Sequence, residues 1–253
     1  MGSLGRLAHV ATDGFILSYI YAPLSEGPEM QIERSITDQP YTYLASGSQS
    51  FVFISQDGNY ILKFFRENRW KPRYFGKNAS RLEGRAATYA SVKEAFAHLR
   101  DESALIALHL TKTSELGTVI IHDKNHIAHT IDLNTVAFAV QKRAMNLGEY
   151  LETASYEKGK AVIDEVLALM KRRFAHGLRD KDPHPINNFG VIDERVVDID
   201  IGGFARDPSK GETYFYFEEL EITRKKLLPW IKRHTPLLES HANQAITTLQ
   251  HNH

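Results

Sequence analysis

Lys63, Asp182, Asn187 and Asp200 are the residues of this chain whose types and spacing point to chemistry. Lys63 sits inside the apolar run Ile61-Leu62-Lys63-Phe64-Phe65, a setting in which burying an ammonium without a partner is costly. Asp182 and Asn187 are five apart in Asp182-Pro183-His184-Pro185-Ile186-Asn187, and Asp200 follows Asn187 by thirteen, closing the run Val196-Val197-Asp198-Ile199. Carboxylate and amide oxygens suit a hard cation such as magnesium, which keeps several of its waters. A carboxylate can also accept a hydroxyl proton. With an ammonium to hold the non-transferred phosphates, this set meets what phosphoryl transfer asks of a protein, which is positioning and electrostatics more than covalent chemistry. Taken singly, each Asp reads as a turn former beside Pro or Gly and Lys63 as an edge-strand charge. The joint order selects the chemical reading.

That order and spacing resemble the ATP site of protein-kinase-like phosphotransferases. The resemblance implies that Lys63 contacts the α and β phosphates, that Asp182 orients the accepting hydroxyl, and that Asn187 and Asp200 bind magnesium. It also implies a carboxylate partner for Lys63 on the helix that follows, where Glu83, Glu94 and Glu102 are all candidates. The stretch Leu44 to Val52 stands in the place of the family's Gly-x-Gly-x-x-Gly-x-Val loop. Gly47 and Val52 match it, while Ala45 and Ser50 replace the outer glycines and are small enough to let backbone amides approach phosphate. Gly47 and Ser48 are then expected at the phosphates, with Val52 and Val140 at the adenine. Gln141-Lys142-Arg143-Ala144 occupies the place of the hinge, so Gln141 and Arg143 are expected to hold the base through backbone groups.

Asp-x-His-Pro-x-Asn, with His184 where eukaryotic-type serine/threonine kinases usually place Lys, resembles aminoglycoside and choline kinases more closely. Two features depart from the family. Asp180 stands two residues before the catalytic Asp, where a His is general, and only residues 201–253 follow Asp200, without an Ala-Pro-Glu sequence. The resemblance therefore covers roughly Tyr41 to Asp207.

The elements that must position these residues make an α+β chain: a two-lobed, protein-kinase-like fold with an antiparallel-sheet N-lobe and a reduced helical C-lobe. The expected divisions are an N-terminal extension over 1–40, the N-lobe over 41–141 and the C-lobe over 142–253. Alternation at Tyr41, Tyr43, Phe51 and Phe53, with turn residues at Ala45–Ser48 and Asp57-Gly58-Asn59, predicts a strand meander ending at Phe65. Apolar positions from Ser80 to about Leu110 recur at helical spacing and predict one helix or two. Gly117–His122 and Thr135–Val140 read as further strands. Val162, Val166, Leu169 and Met170 form the apolar stripe of a helix that Gly177 caps. Arg224-Lys225-Lys226, near Trp230, reads as the charged outer face of a later helix.

Lysine plus arginine and aspartate plus glutamate both number 31, so no global field steers the chain toward nucleic acid or an anionic membrane. Cysteine is absent, which excludes a disulfide scaffold and thiolate metal ligands. Phe15–Ala22 is too short for a membrane span, which needs about 20 residues. The chain is expected to be soluble, with the cytoplasm as its compartment. Its expected partners are ATP, magnesium and a hydroxyl acceptor on a protein or a small molecule. The alternative is a pseudokinase that uses the fold as a scaffold. A third reading is a metal-dependent hydrolase built on Asp180, Asp182, His184, Asp198 and Asp200.

Overall fold

The computed structural model describes residues 15, 17–66, 79–206 and 212–251, and the side chains of these except at 79–84, 212–215 and 251. The chain forms two compact units, one of residues 1–89 with 105–143 and the other of residues 90–104 with 144–253.

The first unit is built on seven strands: β1 Tyr41–Ser46, β2 Ser50–Ser55, β3 Tyr60–Phe65, β4 Leu105–His109, β5 Thr118–His122, β6 Ala128–Asp132 and β7 Phe138–Lys142. Helix α1, Ala79–His98, lies between β3 and β4 in the chain. The strand order is β4-β7-β3-β2-β1-β5-β6. The predicted meander forms as local chemistry directs. Between β2 and β3, Asp57 accepts hydrogen bonds from Ser55 Oγ at 2.6 Å and Asn59 N at 3.0 Å, and Gly58 takes a left-handed φ of +75°. The sheet is mixed rather than antiparallel throughout, because β1 and β5 run parallel with Tyr41 opposite Ile121. A parallel pair needs a long crossover, and β2, β3, α1 and β4 all lie between them.

The helix predicted through Leu110 ends at His98, and Leu105–His109 is a strand. Leu105, Ala107 and His109 are buried while Ile106 and Leu108 are only half-buried, a period of two. Over so short a run, apolar spacing fits a helix equally well. The core of this unit lies on one sheet face, with Tyr41, Phe51, Phe53, Leu62, Phe64, Phe138 and Val140. Phe15 closes that face, its ring 5.0 and 5.5 Å from those of Phe51 and Phe53, and Tyr19, Ile20 and Ile36 complete the cover.

The second unit is mostly helical. Its elements are β8 Met145–Asn146, α2 Leu147–Thr153, α3 Tyr156–Ala175, β9 Arg179–Asp180, α4 Pro185–Asn188, β10 Phe189–Ile192, β11 Arg195–Asp198, β12 Phe204–Ala205, α5 Glu212–His234 and α6 Glu239–His251. Two small sheets, β11-β10-β8 and β12-β9, accompany the helices. Asp193 and Glu194 both take left-handed backbone, at φ 48° and 65°, so the two-residue turn between β10 and β11 matches the twist of its strands. Gly177, at φ +66°, ends α3 and donates its N–H to Phe174 O at 2.7 Å. The predicted stripe of α3 packs with Leu220, Leu227 and Ile231 of α5 and with Ala242 and Ile246 of α6. No described helix is long and apolar enough to cross a membrane.

Candidate active site

Lys63 stands in the middle of β3, opposite Val52 of β2 and Ala139 of β7. Side chains alternate across a sheet, so Lys63, Val52 and Ala139 share the face opposite the aromatic core. Val140 pairs with Leu62 and belongs to that core, which corrects its expected place at an adenine; Ala139 is the β7 residue on the face of Lys63. Of the candidate carboxylates, Glu94 lies 2.7 Å from Arg206 and Glu102 3.5 Å from Arg172, while the side chain of Glu83 is outside the described residues.

Gly47 begins the turn from β1 to β2. Its N–H donates to Ser50 O at 2.9 Å and its carbonyl accepts from Arg66 Nη1 at 2.6 Å, with the guanidinium lying 4.6 Å over the Phe51 ring. A Cβ at Gly47 would approach only Ser50 O, at 4.0 Å, so the protein itself does not demand glycine there. Ser48 is exposed beside it and Gln141 is buried in β7. The N–H of Arg143 is donated to Asn59 O at 2.8 Å, which ties this residue to the β2–β3 turn.

The acid loop of the second unit is more elaborate. Pro185 opens the single turn α4, a position where its missing N–H is no loss. Adjacent residues on a helical turn point about 100° apart, so Asn187 and Asn188 cannot both face the loop. Asn187 is exposed, and Asn188 faces inward. Its Nδ2 donates to Asp182 O at 2.8 Å and reaches Asp180 Oδ2 at 3.5 Å. Both partners are acceptors, which fixes the amide orientation and leaves Oδ1 available to a cation. The backbone carbonyl of Asn188 accepts from Ile199 N at 2.7 Å and Asp200 N at 3.4 Å. Asp200 itself is exposed and uses Oδ1 to accept Gly202 N at 3.1 Å, the sharp turn expected after it.

Asp180 is buried and organises the loop from beneath. Its Oδ1 accepts Asp182 N at 2.9 Å, and its own N–H donates to Glu219 Oε2 at 3.1 Å. A Cβ at Gly203 would fall 2.5 Å from Asp180 Oδ1, so this close approach requires glycine. Burial raises the pKa of Asp180; Arg173 opposes the shift and Asp200 adds to it.

Arg173 of α3 is fully buried, donating from Nη1 to both oxygens of Asp198 at 2.9 Å and from Nη2 to Glu219 Oε1. Burial pushes Asp198 up to about 7 against the pull of that guanidinium. Ser91 secures the next turn, donating to Ile201 O and accepting from Phe204 N, both at 2.7 Å. The side chain of Asp182 is 87% exposed, with Oδ1 3.0 Å from Lys226 Nζ.

Among the described residues, no three His, Cys, Asp or Glu side chains group so as to hold a metal ion. Asp198 turns both oxygens to Arg173, which disfavours the five-residue hydrolase set. A magnesium site of one amide and one carboxylate, completed by phosphate and water, asks less of the protein, and Asn188 and Asp200 carry oxygens of those two types. Spacing alone points to Asn187, and the loop contacts of Asn188, Arg173, Glu219 and Lys226 are not legible from it. Arg173 did leave a signal, a charge three residues after Met170 on the apolar stripe of α3.

The chain matches no protein-family model. No curated protein matches it. Among solved structures it is similar to WbdD, known from a 2.2 Å crystal structure, with a TM-score of 0.41 and 12% identity over 79% of this chain. The matched region spans 44% of the WbdD chain.

Proposed function

We propose that the chain is an ATP- and magnesium-dependent phosphotransferase of protein-kinase-like, two-lobed architecture, which transfers the γ-phosphate to a hydroxyl of a protein or small molecule. The observation that carries this reading is Asn188, which commits both amide hydrogens to the acid loop, keeps Oδ1 available, and joins Asp182 to the turn bearing Asp200.

In this reading Lys63 holds the α and β phosphates, with Gly47 and Ser48 supplying backbone amides and Val52 and Ala139 apolar contact for the base. Asn188 replaces Asn187 as the amide ligand, beside Asp200. Magnesium, when bound, neutralises phosphate charge and orients the transferred group. Asp182 receives the acceptor's hydroxyl proton and aligns its oxygen for in-line attack.

Incubation with magnesium and γ-labelled ATP, alone and with fractionated lysate, is expected to move label to an acceptor. Asp182→Ala should abolish that transfer while leaving nucleotide binding in place. Undiminished transfer in that variant refutes the assignment. Binding without any turnover supports the pseudokinase alternative, for which Asp180 in the usual position of His is the specific pointer.

A further inference from the structure

The acid loop is held from a single face of α5. Glu219, Thr223 and Lys226 recur at intervals of four and three, so they lie one above another on that helix. Glu219 Oε2 takes the N–H of Asp180 at 3.1 Å, Thr223 is buried, and Lys226 Nζ reaches Asp182 Oδ1 at 3.0 Å. The basic run that reads in sequence as an outer face is thus divided. Arg224 pairs with Glu221 at 3.0 Å, Lys225 is exposed, and Lys226, only 29% exposed, turns to the loop. Its target is an exposed carboxylate, and ion pairs this open to water add little to folding. What the contact does fix is orientation: an ammonium on Oδ1 removes the free rotation of an exposed carboxylate and leaves Oδ2 as the acceptor edge.

We propose that Lys226 is a positioning residue for Asp182, holding Oδ1 from the neighbouring helix so that Oδ2 meets the acceptor hydroxyl. The role rests on the phosphotransferase reading given above. It adds to that reading a group on α5, beyond the Tyr41 to Asp207 stretch that carries the motifs. The ammonium also places a positive charge beside the carboxylate that the transferred, negatively charged group must approach, which favours the approach electrostatically.

The test compares Lys226→Met, Lys226→Gln and Lys226→Arg in the full chain, with ADP release from magnesium-ATP, water or glycerol supplying the hydroxyl that takes the phosphoryl group, as the turnover readout and thermal unfolding beside it. Both neutral variants are expected to lose about 10²-fold in kcat, with KM for ATP and the thermal midpoint close to wild type. Lys226→Arg, which keeps the cation, should recover most of the loss. A neutral variant with wild-type kcat overturns the proposal, as does a midpoint that falls in step with kcat, which would assign Lys226 to folding. Turnover in wild type that Lys226→Met matches defeats this inference alone. A wild type with no turnover defeats the phosphotransferase reading and the inference with it.

Discussion

Replacing Arg173 by Met removes a buried cation from between two carboxylates. Arg173 and Asp198 are wholly inaccessible to water and Glu219 is 3% exposed, so the variant leaves two acids without the partner they face. Breaking a buried ion pair by removing one member costs about 3–5 kcal/mol, which lowers the folded-to-unfolded ratio by roughly 10²- to 10⁴-fold. For a unit of this size, each kcal/mol moves the midpoint by roughly 2–6 °C, so the second unit should melt roughly 6–30 °C lower.

The loss is electrostatic, so the added pair Asp198→Asn and Glu219→Gln should recover part of it. Differential scanning calorimetry, with the two units analysed as separate transitions, measures both effects. A drop below about 1 kcal/mol in Arg173→Met, or a triple variant less stable than the single one, refutes the reasoning.

The two adjacent asparagines should separate cleanly. Asn188→Ala is expected to abolish magnesium-dependent turnover, and Asn187→Ala, at an exposed position, to leave it within about threefold of wild type, a surface change of under about 0.7 kcal/mol; steady-state assays over a magnesium titration check this. His109 provides a pH signature in the first unit. Burial holds its pKa below 6.5, although its hydrogen bond to Val136 O pulls the other way. The unfolded chain therefore binds a proton that the folded one resists, so stability should fall as pH drops below 6.5. Thermal midpoints between pH 5 and 8, with His109→Gln flattening that acid limb, test it.

What the sequence reveals here is mostly what is local. The Asp57-Gly58-Asn59 turn and the Gly177 cap each follow from backbone preferences of a few residues, and each forms as read. Lys63 stands out because an ammonium interrupts an apolar strand. Features that depend on distant partners were not legible. The parallel pairing of β1 with β5 joins segments some eighty residues apart, which no periodicity encodes.

The choice between Asn187 and Asn188 rests on how one helical turn is rotated against Asp180, and spacing is blind to rotation. Lys226 is hidden for a related reason. In sequence it is one of three basic neighbours, and only the packing of α5 decides which of them faces the loop.

Calorimetric titration with ATP, in magnesium and in its absence, of wild type, Lys63→Met and Asp200→Ala asks whether nucleotide binding depends on each of these two residues. Charged contacts of this kind are worth about 1.5–3 kcal/mol. Each substitution should therefore weaken magnesium-ATP binding by roughly 10- to 100-fold, and the wild type should lose affinity when magnesium is withheld. A wild type that does not bind ATP with magnesium, or two variants that bind it as tightly as wild type, would contradict the account.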